Sequence, residues 1–177
     1  MKLHLGCGND KRKGYINLDS SMQVNPDVVW NLEKTPIPFK NDSIDEILAN
    51  HIFEHITNFI PLMNDIHRIC RKNAIIKIRT PFYSAWGQYN DPTHVRFFTP
   101  FTFNYFEGDN NYSHEVKNNN KINFKVEKVK IHFGIGKSKI LNKLIDPLIN
   151  LNQKFYCRFF AFIIPAAEIQ FELRVIK

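Results

Sequence analysis

A chain of 177 residues with 44% hydrophobic content can bury one core, so a single domain over residues 1–177 is expected. No basic-apolar leader opens it, and its longest apolar run, around Phe159 to Ala167, falls far below the roughly 18 residues needed to span a bilayer. Cys7, Cys70 and Cys157 lack the spacing of a disulfide frame or zinc knuckle, which points to a reducing, cytoplasmic setting, and the net charge of +7 favours anionic partners such as nucleic acid, an anionic membrane surface or phosphorylated substrates.

In chain order, Leu3-His4-Leu5 reads as an apolar strand running into Gly6-Cys7-Gly8-Asn9. Glycines there let the backbone turn sharply and let a ligand approach the main chain. The third glycine of a dinucleotide fingerprint is absent, Lys11 standing in its place. A second short strand ends in Asp19, and two adjacent strand ends in an open parallel sheet share one crevice. A carboxylate accepts two hydrogen bonds from a ribose diol, so Gly6, Gly8 and Asp19 together suggest a pocket for an adenosyl group. Only five residues separate Gly8 from Gly14, whereas a parallel crossover usually takes a dozen or more, so the first helix must shrink to about a turn. Lys11, Arg12 and Lys13 on that crossover read as solvated surface or as an edge meeting an anionic substrate.

Val28-Val29-Trp30 is a third strand, followed by Asn31-Leu32, and Ile44 to Ala49 is a fourth, with Asn50 leaving it across the crevice from Gly6. His51-Ile52-Phe53-Glu54-His55 fits the H-x-x-E-H pattern, in which two imidazoles four apart on a helix could bind zinc. The bland reading is that these histidines edge a cofactor pocket. Leu62, Met63, Ile66 and Ile69 recur at helical spacing up to Arg71, and Ala74 to Ile78 is the next strand. From Phe82 to Phe106 the chain is dense in rings, half of which are expected in the core. Tyr89, Asp91, Thr93, His94 and Arg96 lie among them on the C-terminal side of the sheet.

Gly108 to Lys121 is polar and Asn-rich and reads as a mobile loop. Lys125 to Phe133 is strand-like, its alternation slipping near Glu127 and Lys128 as a bulge would make it. Ile169, Phe171, Leu173 and Val175 alternate cleanly in a last strand. Between these strands, residues 137–165 form a helical insertion carrying Phe155, Tyr156, Phe159, Phe160 and Phe162 with Lys143, Lys154 and Arg158. It could be an interfacial membrane face or a substrate lid, and packing against the sheet is the reading preferred.

Taken together, Leu5-Gly6-Cys7-Gly8-Asn9, Gly14 to Asp19, Pro38-Phe39 with Ser43, Asp45, Glu46 and Ile47, His51 to His55, and Asp91 to Pro100 resemble the class I S-adenosylmethionine-dependent methyltransferases. The likeness is to their short bacterial-type, methyltransferase type 11-like members. It implies an α/β, Rossmann-like fold: a mostly parallel seven-stranded sheet with one antiparallel strand, flanked by helices, with residues 82–121 on the substrate side. It also implies S-adenosyl-L-methionine as cofactor, held by Leu5, Gly6, Cys7, Gly8, Asp19, Asn31, Leu32, Asn50 and His51. Relatives usually have Asp-Leu where this chain has Asn31-Leu32, near the adenine amino group. No metal is expected, the strand and glycine turn upstream of His51 favouring a methyltransferase over a zinc peptidase.

Methyl transfer to a hydroxyl needs an in-line acceptor, exclusion of water and a base. His94 is the candidate base, oriented by Asp91 or Tyr89, against the alternative that Asp91 to His94 is a structural turn. The acceptor expected is a small-molecule or sugar hydroxyl, possibly anionic. A nucleic-acid methyltransferase is the rival enzyme, although no Asn-Pro-Pro-Tyr type of signature follows the fourth strand. A non-catalytic protein that binds the nucleoside is the reading from another class.

Overall fold

The computed structural model describes residues 1–108 and 122–177, so the polar run expected over Gly108 to Lys121 lies, Gly108 apart, outside the described residues. Seven strands form one sheet: β1 (Lys2–Leu5), β2 (Ile16–Asp19), β3 (Val28–Val29), β4 (Ile44–Asn50), β5 (Cys70–Pro81), β6 (Asn123–His132) and β7 (Glu168–Ile176). Their spatial order is β3-β2-β1-β4-β5-β7-β6. Strands β1 to β5 run parallel, and β7 lies antiparallel between β5 and β6. The bulge expected near Glu127 is present as a register shift between Val126 and Lys128. Four helices accompany the sheet among the described residues: α1 (Phe59–Ile69), α2 (Trp86–Asn90), α3 (Asn142–Leu151) and α4 (Gln153–Phe159).

One face of the sheet carries the core. Leu3, Leu5, Leu18, Ile47, Ala49, Ile76, Ile78, Phe171 and Leu173 are buried on it. Phe59, Leu62, Met63, Ile66 and Ile69 recur every three or four residues along α1, giving one apolar stripe that packs into this core. The helix ends at Ile69 because Cys70 turns extended (ψ 144) and opens β5. That strand is longer than the Ala74 to Ile78 read from the sequence, reaching Pro81. Of the rings between Phe82 and Phe106, Phe82, Phe98, Phe103 and Phe106 are core, whereas Trp86, Tyr89, Phe97 and Phe101 are exposed.

The opposite face is organised differently. The chain from β1 to β2 makes turns and no helix, a stronger reduction than the single turn expected, and only a 3-10 turn (Met22–Val24) separates β2 from β3. Parallel sheets are normally covered on both faces. Here the second face carries charge instead. Lys2 and Lys77 flank Glu46 at 3.1 and 3.0 Å, and Arg79 meets Glu168 at 2.7 Å. Burial works against the Glu46 charge, yet donors from Tyr15, Lys77 and Lys2 outweigh it and hold its pKa at about 2.

Strand β6 closes the sheet on one side, and a bare edge strand exposes unpaired backbone groups. Side chains of the helical insertion cover this one. Asn150 accepts from the Ile131 N–H (2.9 Å) and donates to the Ile131 carbonyl (2.7 Å), while Gln153 donates to the Val129 carbonyl (3.1 Å). Asn150→Ala is expected to cost about 1–3 kcal/mol, the range for leaving partly buried backbone groups unpaired, read as a lower urea midpoint at unchanged m-value.

Candidate functional site

The site begins at the carboxyl end of β1, where strand order reverses between β1 and β4 and a crevice opens. Gly6 and Gly8 both adopt left-handed backbone (φ +60 and +47), a region costly for side-chain-bearing residues. A β-carbon on Gly6 would stand 2.7 Å from the Ile52 side chain, so the missing atom is what lets the two segments meet. The Gly8 N–H donates to Asp19 Oδ2 (2.9 Å), and the Ser21 N–H donates to Oδ1 (2.9 Å). Each carboxylate oxygen therefore holds one backbone donor and keeps a lone pair for a further one.

A cavity of about 200 Å³ lies in front of these groups, lined by Gly6, Leu18, Asp19, Ser20, Trp30, Asn31, Leu32, Glu33, Ile52, His55 and Ile56. Four of the residues expected around the cofactor line it: Gly6, Asp19, Asn31 and Leu32. Leu5 and Cys7 are buried in the core behind it, and Gly8 contributes its N–H to Asp19. Asn50 lines a separate cavity of about 380 Å³ on the charged sheet face, because β4 continues through it in register with Arg79. The walls that the motifs did not reveal are Trp30, Ile52 and Ile56. His55, one of the two histidines expected to edge a cofactor pocket, stands on the wall.

Glu33 closes the rim. Its carboxylate accepts from the Thr57 N–H (2.7 Å), the Thr57 hydroxyl (2.8 Å) and the Asn58 N–H (2.9 Å), tying the segment after β3 to the start of α1. Burial raises the Glu33 pKa, but these donors prevail and leave it below its ordinary value.

His51 is drawn away from the cavity. It sits at φ +50, which turns the chain out of β4, and its ring lies between Glu168 (3.0 Å) and the fully buried Glu54 (3.3 Å). Hydrogen bonding to Glu168, then to Glu54, raises its pKa to about 9. Residues 53–55 form a 3-10 turn, so His51 and His55 do not share the face of a helix as the zinc pattern requires.

His94 reaches the site through its neighbours. The Val95 N–H donates to the Glu54 carbonyl (2.9 Å), and the Arg96 guanidinium donates to the carbonyls of Ile56 (3.2 Å) and Thr57 (3.1 Å). The His94 ring meets His55 edge-on, with centroids 4.7 Å apart. His94 Nδ1 faces the Gln88 carbonyl at 3.0 Å, and a carbonyl only accepts, so Nδ1 carries the hydrogen and Nε2 is bare in the neutral ring. Asp91 stands 3.9 Å from Nε2 and accepts from the Thr93 hydroxyl (2.6 Å), which itself pairs with His55 Nδ1 (2.8 Å). Tyr89 is directed elsewhere: its hydroxyl donates to the Tyr83 carbonyl and its ring packs on Phe97.

Glu54, His55 and His94 each offer a ligand atom within 4.8 Å of the others. Glu54 already faces His51, and His55 Nδ1 pairs with Thr93.

No protein-family model matches the chain, and no curated protein matches it. Solved structures do. An S-adenosylmethionine-dependent methyltransferase from Archaeoglobus fulgidus superposes with a TM-score of 0.59 at 16% identity, covering 98% of this chain and 85% of that one. One from Mesorhizobium loti gives 0.55 at 12% identity, over 98% and 89% of the two chains. The fold is that of the S-adenosylmethionine-dependent methyltransferases. SpnF, described as a cyclase, also superposes, at 0.59 and 11% identity over 99% of this chain and 74% of its own. The methyltransferase fold thus carries more than one activity, and function must be argued from the site.

A folded-state pKa of about 9 for His51 lies above its ordinary 6.5, so its contribution to stability is complete below pH 6.5 and lost as pH rises through 9. Thermal melts at pH 6, 7.5 and 9 are expected to show His51→Gln less stable than the parent at pH 6, with the gap closing by pH 9.

Proposed function

We propose that this chain is a methyltransferase that uses S-adenosyl-L-methionine, with a hydroxyl of a small molecule or sugar as acceptor. The observation that carries the reading is the cavity in which the Gly6 turn, the Asp19 carboxylate and Asn31-Leu32 converge. These residues fit a nucleoside. Asp19 keeps acceptor capacity for a ribose diol, Gly6 leaves the backbone open, and Leu18, Leu32, Ile52 and Ile56 offer apolar walls to a base. Asn31 Oδ1 accepts from the Glu33 N–H (2.9 Å), which orients its side chain at the rim.

When bound, S-adenosylmethionine supplies an electrophilic methyl group. The chain's own residues have three tasks: to hold the nucleoside, to keep the acceptor apart from water, and to take up a proton. His94 is assigned the last. Its bare Nε2 can accept a hydrogen from a hydroxyl, and Asp91 favours the imidazolium that results. His55, on the cavity wall and against the His94 ring, links base and cofactor pocket. Tyr89, its hydroxyl engaged with Tyr83, is assigned to the acceptor's approach rather than to proton transfer.

Calorimetry with S-adenosylmethionine, S-adenosylhomocysteine and NAD tests the cofactor. Both sulfur nucleosides are expected to bind and NAD to be ignored. Asp19→Ala is expected to weaken binding about 10- to 100-fold, from roughly 1.5–3 kcal/mol of charge-assisted hydrogen bonding. A chain indifferent to both nucleosides ends the reading.

Labelled-methyl transfer into fractionated extracts tests the acceptor, with His94→Ala expected to lower turnover about 100-fold or more while nucleoside affinity holds. Unchanged turnover removes His94 from the chemistry. Tight nucleoside binding with no transfer to any fraction would make this a binding protein, and a salt-dependent oligonucleotide shift would move the acceptor to nucleic acid.

A further inference from the structure

Helices α3 and α4 bury fewer apolar side chains than they leave open to water. Asp146 and Asn150 point inward. Asp146 is 5% exposed, pairing with His132 Nδ1 (2.8 Å) and the Phe133 N–H (2.9 Å), while Asn150 caps Ile131. Ile149 and Tyr156 join the core, but most of the apolar residues point out. On α3 the exposed Leu144, Leu148 and Leu151 recur at steps of four and three residues, which aligns them on one side; on α4 the exposed Phe155 and Phe159 stand four residues apart, and Leu141, just before α3, is exposed too. Leu144, Leu148, Leu151, and beyond the helices Phe162 and Ile163, are 70% to 85% exposed. An outward row of leucines and phenylalanines is the reverse of a water-facing helix.

Charge selects the occupant. Lys139, Lys143, Lys154 and Arg158 are exposed along the same segment, and its sole acid, Asp146, is turned inward. A second copy docked on this face would bring like charges together, whereas an anionic bilayer attracts them. The helices are too short to span: ten residues rise about 15 Å against a hydrocarbon core of about 30 Å. Apolar residues with flanking lysines on short helices suit a layer lying in the interface.

We propose that residues 139–164 dock this protein on an anionic phospholipid surface, Leu144, Leu148, Leu151 and Phe162 entering the acyl boundary and Lys154 and Arg158 facing headgroups. The face continues toward the acceptor side of the site. Phe162 touches the Tyr83 ring at 5.5 Å, Tyr89 is bonded to the Tyr83 carbonyl, and exposed Trp86 follows on the same short helix. A docked molecule therefore presents residues 83–97 near the membrane, where an acceptor carried on a lipid would arrive.

The test is co-sedimentation of the full chain with vesicles of phosphatidylcholine alone and of phosphatidylcholine with phosphatidylglycerol, with no nucleoside present, so the result is independent of the methyl-transfer reading. Binding to the phosphatidylglycerol vesicles is expected, with Trp86 and Trp30 offering an emission signal and only Trp86 shifting to the blue. Leu148→Glu with Leu151→Glu, and separately Lys154→Glu with Arg158→Glu, are expected to weaken it about tenfold or more. These side chains are exposed, so the melting temperature should hold. Should either pair fail to fold, bromolipid quenching of Trp86 in the parent chain gives the same answer. A parent chain left in the supernatant with both vesicles overturns the proposal. So does a stable dimer by light scattering that Leu148→Glu with Leu151→Glu converts to monomer, which would assign the face to a second copy.

Discussion

The hydrogen bond from the Gly8 N–H to the Asp19 carboxylate is the constraint on which the crevice depends. In most doubly wound sheets a helix follows the first strand and braces the glycine turn by packing. Here no helix stands between β1 and β2, so the turn is braced by polar contacts. Asn17 is central to them: its side chain accepts from the Arg12 N–H (2.7 Å) and donates to Asp27 (2.9 Å), while the Asp27 carboxylate also accepts from the Asn17 N–H (2.7 Å). A set of side-chain-to-backbone bonds thus fixes two crossovers that helices usually fix. Asp19 serves both as a staple of the turn and as the acceptor facing the cavity.

A second set of bonds gives the crevice its other wall. Residues 54–57 receive Val95 and Arg96 through backbone carbonyls, and the Arg96 guanidinium lies 4.8 Å over the Phe59 ring. Glu33 grips Thr57 and Asn58 from the opposite side. One short stretch after β4 is therefore held by the segment that follows β3 and by the aromatic region at once. His55 and His94 meet because of that double attachment, although 38 residues separate Thr93 from His55. The two imidazoles are presented with their Nδ1 hydrogens engaged, which is the tautomer a proton acceptor at Nε2 needs.

What could be read from the chain and what could not follows physical lines. Gly6, Asp19 and Asn31-Leu32 were legible because each stands at the end of a strand, where sequence position and spatial position coincide. Asn50 and His51 were placed in the same crevice by that rule and lie elsewhere. β4 runs one residue further than its apolar pattern, and the left-handed turn at His51 swings the ring toward Glu168 on β7, a partner 117 residues away. Long-range pairings of this sort leave no local signal. Lys2-Leu3-His4-Leu5, Ile76-Lys77-Ile78-Arg79 and Glu168 to Val175 alternate polar with apolar, whereas parallel strands covered on both faces read as continuous apolar runs. That alternation marks one face of this sheet as polar.

The molecule consequently has two uncovered surfaces, and their chemistry sets them apart. On the sheet face several charges have a partner of opposite sign within reach, Glu46 between Lys2 and Lys77, Glu168 with Arg79 and Glu127 with Arg174. Such a face is compatible with water as it stands. The outer side of α3 and α4 differs, since its apolar side chains are open and its cations lack acids to pair with along the segment. Hydrophobic burial at about 25 cal/mol per Å² makes exposing a row of leucines and phenylalanines unfavourable in water. The inward-facing Asp146 and Asn150 show that this orientation is imposed by specific bonds to the edge strand rather than by slack packing. Rotating the helices to bury the leucines would strip β6 of its caps, so the bonds to the edge strand keep these side chains on the outer side.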